Sequence, residues 1–186
     1  MINKRGDNPT KLLWLDMEFT GLNSDDLITE VAVIVTDFDM NGLDIYESGI
    51  RHDEGLLRQK LESNPWYRDE MPPEHTEAIV QASLAGKDMT DVEGELIGLI
   101  AKHWDGSEGV ILAGNSIHAD RAFIRRYMKR FEAELHYRML DVSSLKVYMQ
   151  GAHGLKYQKK NTHRAIDDIR ESIEELQYYI QKFKKG

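Results

Sequence analysis

Lys11-Leu-Leu-Trp-Leu-Asp-Met-Glu-Phe-Thr-Gly-Leu22 is the stretch that decides the fold. Apolar residues run from Leu12 to Leu15 and then give way to Asp16 and Glu18, so a strand suited to burial ends in two carboxylates. Burying a carboxylate without a compensating charge is costly. Residues two apart in a strand share a face, at a rise of about 3.3 Å each, so both acids leave the strand end in the same direction. That geometry suits a divalent cation. A strand that simply turns polar as it reaches solvent would show the same spacing.

Outward from this strand, Thr20-Gly-Leu-Asn-Ser-Asp-Asp26 reads as a turn-rich loop. Residues 27–37 are rich in β-branched side chains, and Asp39-Met-Asn-Gly42 offers a hairpin turn into a third strand over 43–51. Three strands in this order predict an antiparallel meander. After Asp53, Asn64-Pro-Trp66 and Met71-Pro-Pro73 interrupt short helical stretches, and Val92, Leu96, Leu99 and Ile100 recur at helical spacing over 90–103. Val110-Ile-Leu-Ala-Gly114 predicts a fourth strand running into Asn115-Ser-Ile-His-Ala-Asp120, after which Phe123, Ile124 and Tyr127 mark a helix. Tyr137-Arg-Met-Leu-Asp141 predicts a fifth strand. Ile166, Ile169, Ile173, Leu176, Ile180 and Phe183 step along a long amphipathic C-terminal helix. The sum is an α/β fold, a mixed sheet covered by helices, in which sites gather at strand ends.

At 186 residues with 41% hydrophobic content, the chain suits one domain over 1–186, its first ten residues forming a flexible segment. The longest aliphatic run, Val31-Ala-Val-Ile-Val35, is far short of a membrane span, and the polar start lacks the apolar stretch of a signal peptide. A cytoplasmic protein with no membrane partner is expected. The chain has no cysteine, so any metal must be held by oxygen or imidazole. A formal charge of -8 argues against wrapping long nucleic acid, since affinity for a polyanion grows with the cations facing it. A short substrate remains compatible.

Two further acidic motifs stand at element boundaries. Asp120 falls in the first turn of a predicted helix, where the helix dipole favours a carboxylate and capping alone would explain it. In Asn161-Thr-His-Arg-Ala-Ile-Asp-Asp168, helical geometry discriminates between neighbours. Asp167 lies roughly 150° from the apolar stripe and Asp168 about 110°, so Asp168 reaches a site bordering the core. His163 shares that site only if it belongs to the loop or the first turn, which Asn161 or Thr162 as cap permits. A surface or capping histidine would look the same. Four carboxylates suit Mg²⁺ or Mn²⁺, and two such ions about 3.5–4 Å apart can stabilise both oxygens of a phosphodiester displacement. His163, with an ordinary pKa near 6.5, has the chemistry to take a proton from water.

Asp16-x-Glu18, Asp120 and His163-x-x-x-x-Asp168, in this order and on these elements, resemble the DEDDh 3′-to-5′ exonucleases of the ribonuclease-H-like fold. Asp16-Met-Glu-Phe-Thr-Gly-Leu22, Gly114-Asn-Ser-Ile-x-x-Asp-Arg121, the block from His136 to Lys146 and Asn161-Thr-His-Arg-Ala-Ile-Asp-Asp-Ile-Arg-Glu-Ser172 are similar to the oligoribonuclease family within them. The resemblance implies a five-stranded ribonuclease-H-like sheet. It also implies Asp16, Glu18, Asp120 and Asp168 as ligands of two Mg²⁺ or Mn²⁺ ions, with His163 as general base. The implied substrate is short single-stranded RNA, from dinucleotides to about pentanucleotides, cut to 5′-mononucleotides; stacking on an aromatic is worth about 1–3 kcal/mol per base. Leu22 would wedge between the terminal bases and Trp66 would stack on one. A homodimer is implied too, with Tyr137 and Arg138 lent to the partner's pocket and Ser116 and Ser143 supplying hydroxyls. Without the resemblance, Leu22 is a loop residue, Trp66 a core aromatic, and Tyr137 and Arg138 an edge strand with an exposed charge.

The chain departs from the family over Met71-Pro-Pro-Glu-His-Thr-Glu-Ala78, where the usual His-Thr-x-x-Ser-Gly-Leu pattern is incomplete, and over 151–160, which is short. Three other functions compete: an exonuclease trimming longer RNA or DNA, a non-catalytic short-RNA binding module, and a structural dimer with acidic surface clusters.

Overall fold

The computed structural model describes residues 9–158 and 164–184. In chain order these form β1 (Lys11–Phe19), β2 (Ile28–Asp37), β3 (Gly42–Gly49), α1 (Glu54–Ser63), a π-helical turn (Trp66–Glu70), α2 (Pro73–Leu84) and α3 (Met89–His103). There follow β4 (Val110–Gly114), α4 (His118–Tyr127), α5 (Lys129–Glu134), β5 (Leu135–Asp141), α6 (Val142–His153) and α7 (Ala165–Lys184). One sheet of five strands runs β3-β2-β1-β4-β5. The predicted meander is present, because β1 pairs antiparallel with β2, and β2 with β3. β4 then joins β1 in parallel and β5 joins β4 in parallel, giving the mixed sheet expected.

β1 lies at the centre, and its alternation divides the core. Leu13, Leu15 and Met17 pack with Leu96 and Ile100 of α3, Phe123 and Ile124 of α4 and Phe131 of α5. Leu12 and Trp14 face the other way, onto Met149 of α6 and Ile169, Leu176 and Tyr179 of α7. The Trp14 indole, wholly buried, donates to Thr36 Oγ1 at 3.0 Å, so its polar atom is satisfied inside the core. Truncating any of these buried leucines to alanine would cost about 2–5 kcal/mol, through lost burial and the cavity left behind. A smaller cluster, Leu57, Leu61, Tyr67 and Val80, holds α1 and α2 together beside the sheet.

Two details differ from expectation, in the helices and at the N-terminal segment, while the hairpin between β2 and β3 stands where expected. α5 and α6 were not anticipated: α6 buries only Val142 and Met149 and exposes Val147 and Tyr148, too sparse an apolar pattern to announce a helix. The β2–β3 turn takes its left-handed residue at Met40 (φ 67°), while Asp37 Oδ1 accepts the N–H groups of Asp39 and Asn41. Of the segment expected to be flexible, 1–8 lie outside the described residues, whereas Thr10 is held, its N–H and hydroxyl both donating to Glu108. No helix among the described residues is long and apolar enough to cross a membrane.

Candidate active site

Alternation along β1 puts Asp16 and Glu18 on the same face as Leu12 and Trp14, the face covered by α7. The first turn of α7 supplies Asp168, whose N–H donates to the Arg164 carbonyl at 3.0 Å. Each of Asp16, Glu18 and Asp168 offers a carboxylate oxygen within 4.8 Å of the others. Asp167 instead accepts from Arg170 at 2.8 Å on the exposed side, so the fold selects the aspartate that the helical angle selected. Burial pushes the Glu18 carboxyl up to about 7, the charges of Asp168 and Glu30 add to the rise, and Arg164 opposes it. A set of hard oxygen donors, packed closely enough to resist ionising together, is what a divalent cation relieves.

Asp120 arrives from the opposite layer. It sits in the first turn of α4, and α4 is seated by Phe123 packed against Phe19 of β1, the rings tilted and 4.1 Å apart between centres. β4 has ended by this point, so the Met17 N–H meets no neighbouring strand; Asp120 Oδ1 accepts it at 3.0 Å. The carboxylate is buried, and loss of solvation raises it to about 8 against the lowering effect of backbone N–H groups. Asp120 therefore borders the cluster of three without belonging to it. One of its oxygens is already engaged in closing the end of β1.

Positive charge near the cluster comes from Arg164, which reaches Glu30 on β2 and Glu47 on β3, both at 3.4 Å. A cleft of about 240 Å³ opens beside Glu18, lined by Glu30, Tyr67, Met71, His75, Ile79 and Arg164. Tyr67 donates its hydroxyl to the Phe19 carbonyl at 2.6 Å, tying the π-helical turn to the end of β1. Glu30, Tyr67 and Arg164 were not foreseen. Glu30 was hidden inside the apolar run of β2, and Arg164 offered no signal beyond its place after His163. His163, Asn161 and Thr162 lie outside the described residues.

Beyond the acidic cluster, the turn after β4 holds Ser116 and Ser143 together, their hydroxyls 3.1 Å apart. Ser116 has φ 50°, a conformation costing a non-glycine residue about 1–3 kcal/mol. Its N–H donates to Asp141 Oδ1 at 3.0 Å and to Ser143 Oγ at 2.9 Å, which hold it there. Gly114 is required just before: a Cβ there would come within 2.8 Å of the Leu15 carbonyl, so only glycine lets the end of β4 close on β1 beside Asp16. Leu22 is exposed in the loop after β1, and Trp66, expected from the residues alone to be a core aromatic, stands exposed with its ring edge against Tyr67. Tyr137 and Arg138 are exposed on the edge strand β5, the guanidinium 5.2 Å from the phenol ring centre. Tyr137 lies four residues before Asp141, about 13 Å along the strand from the site end, so within one chain it does not approach the cluster.

A family model described as exonuclease, of the RNase T type, matches residues 13–176. An oligoribonuclease of Francisella tularensis subsp. tularensis is 39% identical over 180 residues, covering 92% of this chain and 94% of that protein. Those of Corynebacterium efficiens (39% over 187 residues, covering 93% and 79%) and Thiobacillus denitrificans (38% over 180 residues, covering 95% and 96%) are similarly related. Among solved structures, E. coli exonuclease I in complex with a 5cy-dT13 oligonucleotide superposes with a TM-score of 0.64 at 13% identity, over 96% of this chain. A further exonuclease I structure gives 0.61 at 14% identity over 94%. This chain spans 41% of the length of each, and at such identity the likeness is one of fold.

Proposed function

We propose, from the premise that this chain belongs to the oligoribonuclease family of exonucleases, that it is a 3′-to-5′ exoribonuclease hydrolysing short RNA, dinucleotides above all, to 5′-mononucleotides. The observation that carries this is the convergence of Asp16, Glu18 and Asp168 at the end of β1, with Asp120 buried alongside. Asp16, Glu18, Asp120 and Asp168 would hold two divalent cations, Mg²⁺ or Mn²⁺; when bound, these supply Lewis acidity at the scissile phosphate and neutralise charge on the oxygens that attack and leave.

The chain's own residues do the rest. His163 takes the proton from the attacking water, and its own protonation sets an acid limb of activity near its ordinary pKa of about 6.5. Leu22 separates the two bases and Trp66 stacks on one of them. Ser116 and Ser143 hold the 5′ side of the substrate. Tyr137 and Arg138, too far along β5 to serve their own site, close the pocket of a second subunit in a homodimer, and a pocket closed in this way admits only short strands. Few placed donors suffice for so short a polyanion, which suits a chain of net charge -8. The absence of cysteine fits the cytoplasm.

The test is hydrolysis of an RNA dinucleotide with Mn²⁺ and with chelator, products separated by chromatography. Cation-dependent release of 5′-mononucleotides is expected. An intact dinucleotide in Mn²⁺, with the protein melting identically in Mn²⁺ and chelator, would remove both the activity and the metal centre.

A further inference from the structure

Asn115, directly after β4, joins two parts of the molecule through hydrogen bonds of opposite sense. Its Oδ1 accepts from Ser143 Oγ at 3.1 Å, while its Nδ2 donates to Ser172 Oγ at 2.8 Å and to Glu175 Oε2 at 3.1 Å. Ser172 Oγ passes the chain on, donating to the carbonyl of Asp168 at 2.8 Å. On the other side, Ser143 Oγ accepts the Ser116 N–H at 2.9 Å. A serine hydroxyl carries one proton, and that of Ser143 is committed to Asn115, so in the contact between the two serines Ser116 is the donor. One side chain thus fixes both the hydroxyl orientation of Ser143 and the bond that holds the first turn of α7.

From this we infer that Asn115 is a positioning residue coupling the Ser116–Ser143 pair to the helix that carries Asp168. Only an amide fits. It must accept on one side and donate twice on the other, and its donors face Glu175, which is fully buried and already takes the Tyr179 hydroxyl at 2.9 Å and the Lys146 ammonium at 3.2 Å. An aspartate at 115 would lose both donors and set a second carboxylate against the buried one. The partners lie 28, 57 and 60 residues away in sequence, the last two both on α7, so two distant segments converge on this one amide. The inference rests on the function proposed above in taking Asp168 as a cation ligand and the two serines as substrate contacts.

The test combines calorimetric titration of Mn²⁺ into chelator-stripped protein with dinucleotide kinetics, on wild type, Asn115→Ala, Ser172→Ala and the double variant. Each single substitution is expected to weaken Mn²⁺ by about 10-fold, the low end of what loss of a group orienting a ligand costs. The double variant should bind Mn²⁺ no more weakly than Asn115→Ala, since both act on one carbonyl. Asn115→Ala should also raise KM, and Ser172→Ala should not. Unchanged Mn²⁺ affinity in the single variants, or losses that multiply in the double, overturns the coupling. Should Asn115→Ala fail to fold, Ser172→Ala decides alone: weaker Mn²⁺ at unchanged KM upholds it, and unchanged Mn²⁺ affinity overturns it. Wild type that binds Mn²⁺, loses affinity on Ser172→Ala and leaves the dinucleotide intact would uphold the coupling while rejecting the proposed substrate.

Discussion

On the α7 face of β1 the acidic side chains are half-buried and held, whereas the residues expected to meet bases or close a partner's pocket stand in solvent, Leu22 at 75% exposure, Tyr137 at 57% and Trp66 at 43%. The first region is finished by folding: strand alternation, the first turn of α7 and the capped end of β1 fix the carboxylates before any substrate arrives. On the function proposed above, the second is what the substrate, or a second subunit, would cover. The two regions should therefore respond to substitution in different ways.

The widest separation is expected from Asp168→Asn. Losing a cation ligand forfeits several kcal/mol of transition-state stabilisation, a fall in kcat on the order of 10³-fold, while the half-buried, near-isosteric amide keeps the shape of the fold. Equal turnover by this variant in Mg²⁺ would break the assignment of the rigid region. Trp66→Ala addresses the open region and should raise KM with the melting temperature held; a lost stacking contact is worth about 1–3 kcal/mol, or roughly 5- to 150-fold. A large drop in melting temperature would return Trp66 to the core.

Next comes the pH dependence of stability without metal. Glu18 and Asp120 are raised to about 7 and 8, so the folded state holds protons that the unfolded chain, with ordinary carboxylates near 4, has released. Stability from these groups is complete below the unfolded value and is lost as pH rises through 7 and 8. In chelator the melting temperature should fall between pH 5 and 8 by several degrees, and Mn²⁺ should abolish the fall; a flat profile in chelator would show the carboxylates to be well solvated. The smallest effect belongs to Asp167→Asn, which removes one exposed ion pair with Arg170 and should change stability by less than about 0.5 kcal/mol. Kinetics equal to wild type would sharpen the distinction between the two neighbouring aspartates.

Much of the rigid region was legible in the sequence, for reasons that can be named. Strand period placed Asp16 and Glu18 together, and helical angle chose Asp168 over Asp167, because both are local geometry. The placement of Asp120 was less so. Its first-turn position could be read, but its bond to the Met17 N–H depends on where β4 stops beside β1. Asn115 lay in a motif whose spacing says nothing of a partner 57 residues away. The open region was legible only through family resemblance, since nothing in the spacing around Leu22 or Trp66 distinguishes a side chain kept for a ligand from one kept for a core.

The most direct measurement is a length series of 5′-labelled RNAs from two to ten nucleotides, digested at one enzyme concentration in Mn²⁺. The fixed acidic centre with a rim completed by a short ligand predicts fastest cleavage of the dinucleotide, a steep decline beyond about five residues, and labelled mononucleotide as end product. Decanucleotide degraded as fast as dinucleotide would contradict it.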